Sequence, residues 1–275
     1  MRWCCAGRWQ GHSVADRHAI LQELGLTPVW RRRSPAARAA ASTDSATTAP
    51  LAASDAVAEY RIRSATEPVL DRGAHIAALQ WADIAADVAA CTACELCKTR
   101  NRTVPGVGDA RAEWMFVGEA PGAEEDAKGE PFVGQAGKLL DNMLAALGLR
   151  RDRQVYIANV LKCRPPNNRT PTQDESEACR HYLDRQIALI RPRIIIALGK
   201  SAATTLLNVD ATIASLRGRV HRYRGVPLVV TYHPAYLLRT LPDKAKAWED
   251  LCLARATMRA LPPDDGLQRA TTASN

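Results

Sequence analysis

The sequence predicts an α/β fold built on a parallel sheet with helices on both faces. Three observations predict it. Short apolar runs at residues 114–117, 155–160, 194–198 and 228–232 alternate with longer stretches of helical spacing. The runs are continuous rather than alternating, as strands buried on both faces require. The polar motifs follow the strands, so a parallel sheet brings them to one edge, where open α/β sheets bind ligands.

The 275 residues suffice for one sizeable domain plus extensions, and a hydrophobic content of 47% can supply a core. The formal net charge of +8 favours a polyanionic partner. No apolar run approaches the ~18 residues of a membrane span. Residues 1–10 lack the apolar centre of a secretory signal. The expectation is a cytoplasmic monomer with no membrane partner. In that compartment the eight cysteines are metal ligands or free thiols rather than disulfides.

Residues 1–75 are expected to be an extension, largely disordered. Ser13-Val14-Ala15-Asp16 resembles a capping box that opens a short helix. Residues 34–57, rich in Ala, Ser, Thr and Pro, read as a linker. Between them Arg31-Arg32-Arg33 is either a solvated basic run or a phosphate contact. The domain itself is placed at 76–262, with a disordered tail at 263–275. It opens with a helix over 79–90 that leads into Cys91-Thr92-Ala93-Cys94-Glu95-Leu96-Cys97. Strand one, 114–117, ends in a Gly-rich acidic loop, Gly118-Glu119-Ala120-Pro121-Gly122-Ala123-Glu124-Glu125-Asp126. Pro131-Phe132-Val133-Gly134 and a helix over 135–147 follow. Strand two, 155–160, runs into Lys162-Cys163-Arg164-Pro165-Pro166-Asn167-Asn168-Arg169, and the next helix, 172–190, carries Cys179. Strand three, 194–198, ends at Gly199-Lys200-Ser201, which opens another helix. Residues 218–224 suggest a small hairpin. Strand four, 228–232, ends in His233-Pro234-Ala235-Tyr236-Leu237-Leu238-Arg239, and a last helix covers 243–260.

Cys91 and Cys94 form a C-x2-C pair; Cys163 and Cys179 flank the start of a later helix. Clustered thiolates suit a soft-metal site, an iron–sulfur cluster or zinc. Zinc ribbons bring two tight C-x2-C knuckles. Here the second pair is widely spaced, which favours a cubane cluster. Cys97 is a spare thiol at similar spacing.

The acidic loop, Pro131-Phe132-Val133-Gly134, Asn159 followed by Lys162-Cys163-Arg164-Pro165-Pro166, and His233-Pro234-Ala235-Tyr236-Leu237-Leu238-Arg239 occur in that order. This resembles the type-4 uracil-DNA glycosylases, iron–sulfur proteins of bacteria and archaea. The resemblance spans residues 85–260 and implies a three-layer α/β/α sandwich around a four-stranded parallel sheet. It implies a [4Fe–4S] cluster held by Cys91, Cys94, Cys163 and Cys179, leaving Cys97 out. It implies hydrolysis of the N-glycosidic bond of uracil in single- or double-stranded DNA, leaving an abasic site. The Lys-Arg-Arg-Ile-His insertion of relatives that trap DNA covalently is absent, which argues for ordinary turnover.

Such an enzyme takes its base out of the helix stack before it can reach the sugar. Phe132 would stack on the extruded uracil. Asn159 could accept from uracil N3–H and donate to O4, a pattern that cytosine inverts. His233, as a neutral donor to O2, would stabilise the charge of the departing uracil anion. Glu125 is assigned to water activation by match to the family. Position alone does not separate it from Glu124 and Asp126. Glu119 would sit at the base edge with the Ala120 main chain. Leu237 and Leu238 could wedge into the stack where the base leaves, with Arg239 on a phosphate. Lys200 and Ser201 open a helix whose N-terminus suits a phosphate, and Arg164 and Arg169 could add backbone contacts. Two rival readings remain at this stage: a non-catalytic iron–sulfur or zinc module for nucleic acid, and a glycosylase for another lesion.

Overall fold

In a computed structural model of the chain, residues 71–262 are described. The expected early helix, the Arg31–33 run, the linker and the tail after 262 lie outside them. The helices are α1 (Arg72–Ala78), α2 (Trp81–Ala90), α3 (Ala123–Lys128), α4 (Gln135–Ala146), α5 (Gln173–Ile190), α6 (Lys200–Leu207), α7 (Ile213–Leu216), α8 (Pro234–Leu237) and α9 (Asp243–Ala260). The strands are β1 (Val107–Gly108), β2 (Trp114–Gly118), β3 (Val155–Asn159), β4 (Ile194–Leu198), β5 (Val220–Tyr223) and β6 (Val226–Thr231).

The strands form one sheet in the order β1-β3-β2-β4-β6-β5. Its centre, β3-β2-β4-β6, is parallel throughout, the four strands that the apolar runs predict. Each edge adds a short antiparallel strand, so the described sheet has six strands rather than four. β1 is only two residues long, too short to carry a period. β5 is the expected hairpin arm, but its partner is β6, across a tight turn at Arg224 and Gly225.

Every residue of β2, β3 and β4 is buried, because helices cover both faces. Met115, Val117, Ile195 and Ala197 point to one face and pack with Leu183 and Ile187 of α5 and Ala203 of α6. Trp114, Phe116, Ile194 and Ile196 point to the other, against Leu140 and Leu144 of α4 and Leu251 of α9. This alternation within continuously apolar strands makes the three layers.

From β2 the chain crosses to β3 on one side, then to β4 on the other, with β6 beyond. The connections therefore diverge between β2 and β4, and their carboxyl ends open a crevice. The loops after all four parallel strands meet there.

The helix expected over 79–90 is present as α2, and a further helix, α1, that the sequence reading did not anticipate precedes it. Asp71 caps α1, accepting from Gly73 N at 3.0 Å. The chain breaks at Leu79 and Gln80 before α2 starts. Thus α1 begins at Arg72, upstream of the expected boundary at 76. Ile76, Ile84 and Val88 pack on Tyr182 of α5 as a small separate core. That core holds the cysteine-bearing segment 91–97 beside α5. Ile76 is 1% exposed, so Ile76→Ala is expected to destabilise the domain by about 2–5 kcal/mol, the usual range for such truncations. A urea unfolding midpoint equal to that of the unmodified chain would show that α1 is not part of the cooperative unit.

Candidate active site

Gly118 and Asn159 end neighbouring strands and face each other in register. A Cβ at Gly118 would stand 2.4 Å from Asn159 Oδ1 and 2.7 Å from Phe132 Cζ. Glycine is what lets both side chains enter one crevice. The Phe132 ring lies stacked beside the His233 ring, centroids 5.5 Å apart and planes at 30°. Strand ends β2, β3 and β6 and the loop before α4 thus bring together Phe132, Asn159 and His233, three residues that the sequence singles out.

Phe132 adopts φ 55°. A bulky side chain in that region costs of order 1–3 kcal/mol, and such strain persists where the surroundings over-determine it. Nothing in the sequence signals it.

Asn159 is 2% exposed, and its Oδ1 has no hydrogen-bond partner within the protein. A buried acceptor left unpaired costs about 1–3 kcal/mol. Its main-chain carbonyl, by contrast, is held by Lys162 Nζ at 2.8 Å. Lys162 is itself 1% exposed. Its ammonium also donates to Gln186 Oε1 at 2.7 Å, and Gln186 Nε2 donates to Pro105 O at 2.8 Å and to Tyr156 Oη at 3.1 Å. Burial lowers the Lys162 pKa to about 8, against the opposing pull of Cys179. The sequence carried no role for Lys162; a lysine directly after the apolar Val160-Leu161 was the available signal.

His233 caps α8, its Nδ1 accepting from Ala235 N at 3.1 Å. That bond assigns the ring proton of the neutral form to Nε2. Burial pushes the pKa down to about 4; nearby Glu125 opposes this and Arg239 adds to it. At neutral pH the ring is therefore a neutral donor through Nε2.

The acidic stretch is α3 rather than a loop, with Gly122 at its start. Its acids now separate. Asp126 is fully buried and accepts from Asn101 N at 2.9 Å, Asn101 Nδ2 at 2.6 Å and Arg102 N at 3.4 Å, so it anchors the preceding loop. Glu124 is exposed. Glu125 lies close enough to His233 to influence it. It accepts from Gly122 N at 3.1 Å, Val133 N at 3.0 Å and Gly134 N at 3.3 Å. Those bonds tie α3 to the Phe132 turn. A carboxylate has about four lone-pair sites, which leaves Glu125 room for one further donor such as a water. Burial raises the pKa of Glu119, opposed by a hydrogen bond with Ser201 at the start of α6. Ala120 packs at the margin of the first core.

Two expected DNA contacts need correction. Leu237 is 1% exposed, because it stands three residues after Pro234 and turns into the core with Tyr232 and Leu251. It cannot wedge into a base stack from there. Leu238, at 42%, is exposed, and so is Leu241, at 60%, which the sequence reading passed over. Arg169 grips Glu175 with two bonds, 2.8 and 2.6 Å, and holds its carboxyl at about 2. Glu175 also closes a capping box with Thr172 at the start of α5. Arg169 therefore serves the helix cap. Arg164 Nε donates to Asn168 Oδ1 at 2.8 Å. Lys200 lies 3.8 Å from Asp210, both exposed, and Arg239 is exposed beside His233.

Away from this crevice, Cys91, Cys94, Cys97, Cys163 and Cys179 line one cavity with Arg72, Arg100, Lys162 and Tyr182. Arg72 Nη2 donates to Cys91 Sγ at 3.5 Å, Arg100 Nη1 to Cys163 Sγ at 3.2 Å, and Lys162 N to Cys179 Sγ at 3.2 Å. The two guanidinium donors, on Cys91 and Cys163, suit thiolates; the donor on Cys179 is a main-chain amide. Among the described residues, no three His, Cys, Asp or Glu side chains converge on a single ion position. Thiols ringing a cavity suit a larger soft-metal group better than one ion.

The sequence profile of the uracil DNA glycosylase superfamily matches residues 105–252. The type-4 uracil-DNA glycosylase of Archaeoglobus fulgidus is 51% identical over 164 residues, covering 57% of this chain and 82% of that protein. That of Sulfurisphaera tokodaii is 49% identical over 173 residues, covering 60% and 78%. The type-5 uracil-DNA glycosylase of Pyrobaculum aerophilum is 38% identical over 153 residues, covering 50% and 67%.

The His233 environment has a measurable consequence. Its folded pKa, about 4, lies below the ordinary imidazole value of 6.5. The unfolded chain thus binds the proton first, and this site's contribution to stability is full above pH 6.5 and lost as pH falls towards 4. Nitrogen-detected NMR titration should find His233 as the Nε2–H tautomer, charging near pH 4. A midpoint above pH 6 would show that burial does not keep the ring neutral.

Proposed function

The chain belongs to the uracil DNA glycosylase superfamily, and from that premise we propose how its residues divide the work of a type-4 member. The chain is a uracil-DNA glycosylase, a hydrolase that cleaves the bond between uracil and deoxyribose and leaves an abasic site.

In the proposed chemistry the uracil leaves the stack and enters the crevice between β2 and β3. Phe132 stacks on it. Asn159 Oδ1 accepts from N3–H while Nδ2 donates to O4. The observation that carries this reading is the buried, unpartnered Oδ1 of Asn159. Uracil relieves that orphan; cytosine, with an acceptor at N3, does not. His233 Nε2–H donates to O2, where charge grows as the bond to C1′ breaks. Glu125 holds the water that attacks the sugar, and Glu119 lines the base edge with the Ala120 main chain. Leu238 enters the gap left in the stack, with Arg239, Lys200 and Ser201 on phosphates.

Cys91, Cys94, Cys163 and Cys179 would hold a [4Fe–4S] cluster. Bound there, it would supply a structural cross-link between segment 91–97 and the Cys163–Cys179 segment. The reading extends to a monomer working on single- or double-stranded uracil-containing DNA in the cytoplasm. No described helix is long and apolar enough to cross a membrane.

Two experiments test this. Asn159→Asp keeps the size and the acceptor but turns a carboxylate on uracil O4. A mispaired buried group of this kind costs on the order of 2–5 kcal/mol. At about 1.4 kcal/mol per decade, single-turnover uracil release should fall about thirtyfold or more. Release at the unmodified rate would remove Asn159 from base reading. Anaerobically purified protein should carry iron and acid-labile sulfide and lose both, with folded protein, in Cys163→Ala. Stoichiometric zinc without sulfide would overturn the cluster.

A further inference from the structure

Phe132 keeps its left-handed backbone through contacts that converge from one side chain. Arg151, in the loop before β3, donates from Nη1 to Pro131 O at 3.0 Å. Its Nη2 donates to Phe132 O at 2.6 Å and Gly137 O at 3.3 Å. Its Nε donates to the carboxylate of Asp141 on α4. The guanidinium thus spans the turn on both sides of Phe132 and is braced on the helix that follows it. The fit is close: a Cβ at Gly137 would stand 1.7 Å from Phe132 O and 3.2 Å from Arg151 Nη2. On its far side the ring meets Gly118 and His233. Phe132 is therefore clamped by its carbonyl at one end and by the crevice at the other.

We propose that Arg151 is a positioning residue for base extrusion: it fixes the Phe132 turn so that the ring stands as a rigid wall against the flipped uracil. Arg151 does not touch the base. Only a planar fork with several donors can engage three carbonyls and a carboxylate at once. A lysine, with three donors on one nitrogen, cannot reach four separate acceptors. The proposal rests on the reading that Phe132 stacks on uracil, so the test separates the two.

The test is a double-mutant cycle on the full chain with Phe132→Ala, Arg151→Met and both together. It reads single-turnover uracil release at saturating enzyme and, separately, affinity for abasic DNA. Arg151→Met should slow release by about tenfold or more and leave abasic-site affinity within twofold. In the Phe132→Ala background the same change should slow release less than twofold, since there is no wall left to place. Arg151→Lys should recover less than half of the lost rate. If Phe132→Ala releases uracil at the unmodified rate, the stacking reading fails. If Phe132→Ala is slow while Arg151→Met is not, the clamp alone fails. An equal loss from Arg151→Met in both backgrounds makes Arg151 a general support and overturns the proposal. Should Arg151→Met not fold, Asp141→Asn, which removes only the brace, runs the same cycle with the same criteria.

Discussion

A buried ammonium connects the two halves of this molecule. Lys162 Nζ holds the main-chain carbonyl of Asn159 and the side chain of Gln186. Its own N–H meets Cys179 Sγ, and its neighbour is Cys163. An uncompensated charge in that position would be prohibitive, so both acceptors are needed where they are. Gln186 in turn reaches Pro105 and Tyr156. The end of β3, the thiol-lined cavity and α5 are thereby fixed to one another. Disturbing the cysteine side should move Asn159 through this shared set of hydrogen bonds.

Rigidity matters because the crevice is crowded by design of its backbone. Gly118 and Gly137 leave no room for a Cβ, and the volumes they vacate are filled by Asn159, Phe132 and a carbonyl held by Arg151. Glu125 ties the start of α3 to the residues after Phe132. Two groups thus restrain the same turn, a carboxylate on its amides and a guanidinium on its carbonyls. That opposition explains how a strained phenylalanine stays in place.

Much of this was legible in the sequence, for physical reasons. The four parallel strands announce themselves because burial on both faces demands unbroken apolar runs. Asn159 and His233 stand out because polar residues directly after such runs fall at the binding edge. Other features were invisible or were misread. The sign of φ at Phe132 leaves no mark on composition. Arg151 sits among Arg150 and Arg153 and looks like one more surface charge. Asp126 and Glu125 are neighbours, yet one is an anchor and the other faces the pocket, a distinction made by helical rotation alone. Arg169 and Leu237 were misread although signals existed. Thr172 and Glu175 spell a capping box that could claim an arginine, and Leu237 has the three-residue offset from Pro234 that turns a side chain to the core.

The same burial that sets the shape also sets the electrostatics. As the glycosidic bond breaks, the sugar turns positive and the uracil negative. Under the proposed chemistry Glu125, a carboxylate, lies on the sugar side, and His233 meets uracil O2. A cationic imidazole there would offset Glu125 and would have to be desolvated before any base arrived. The environment that pushes His233 down to about 4 removes that charge. The neutral Nε2–H keeps its donor, and in a partly desolvated site that donor interacts more strongly with an anion than it would in water. It meets little charge in the bound ground state and nearly a full one as the bond opens. The interaction therefore strengthens along the reaction, which is the condition for binding energy to lower a barrier rather than deepen a well.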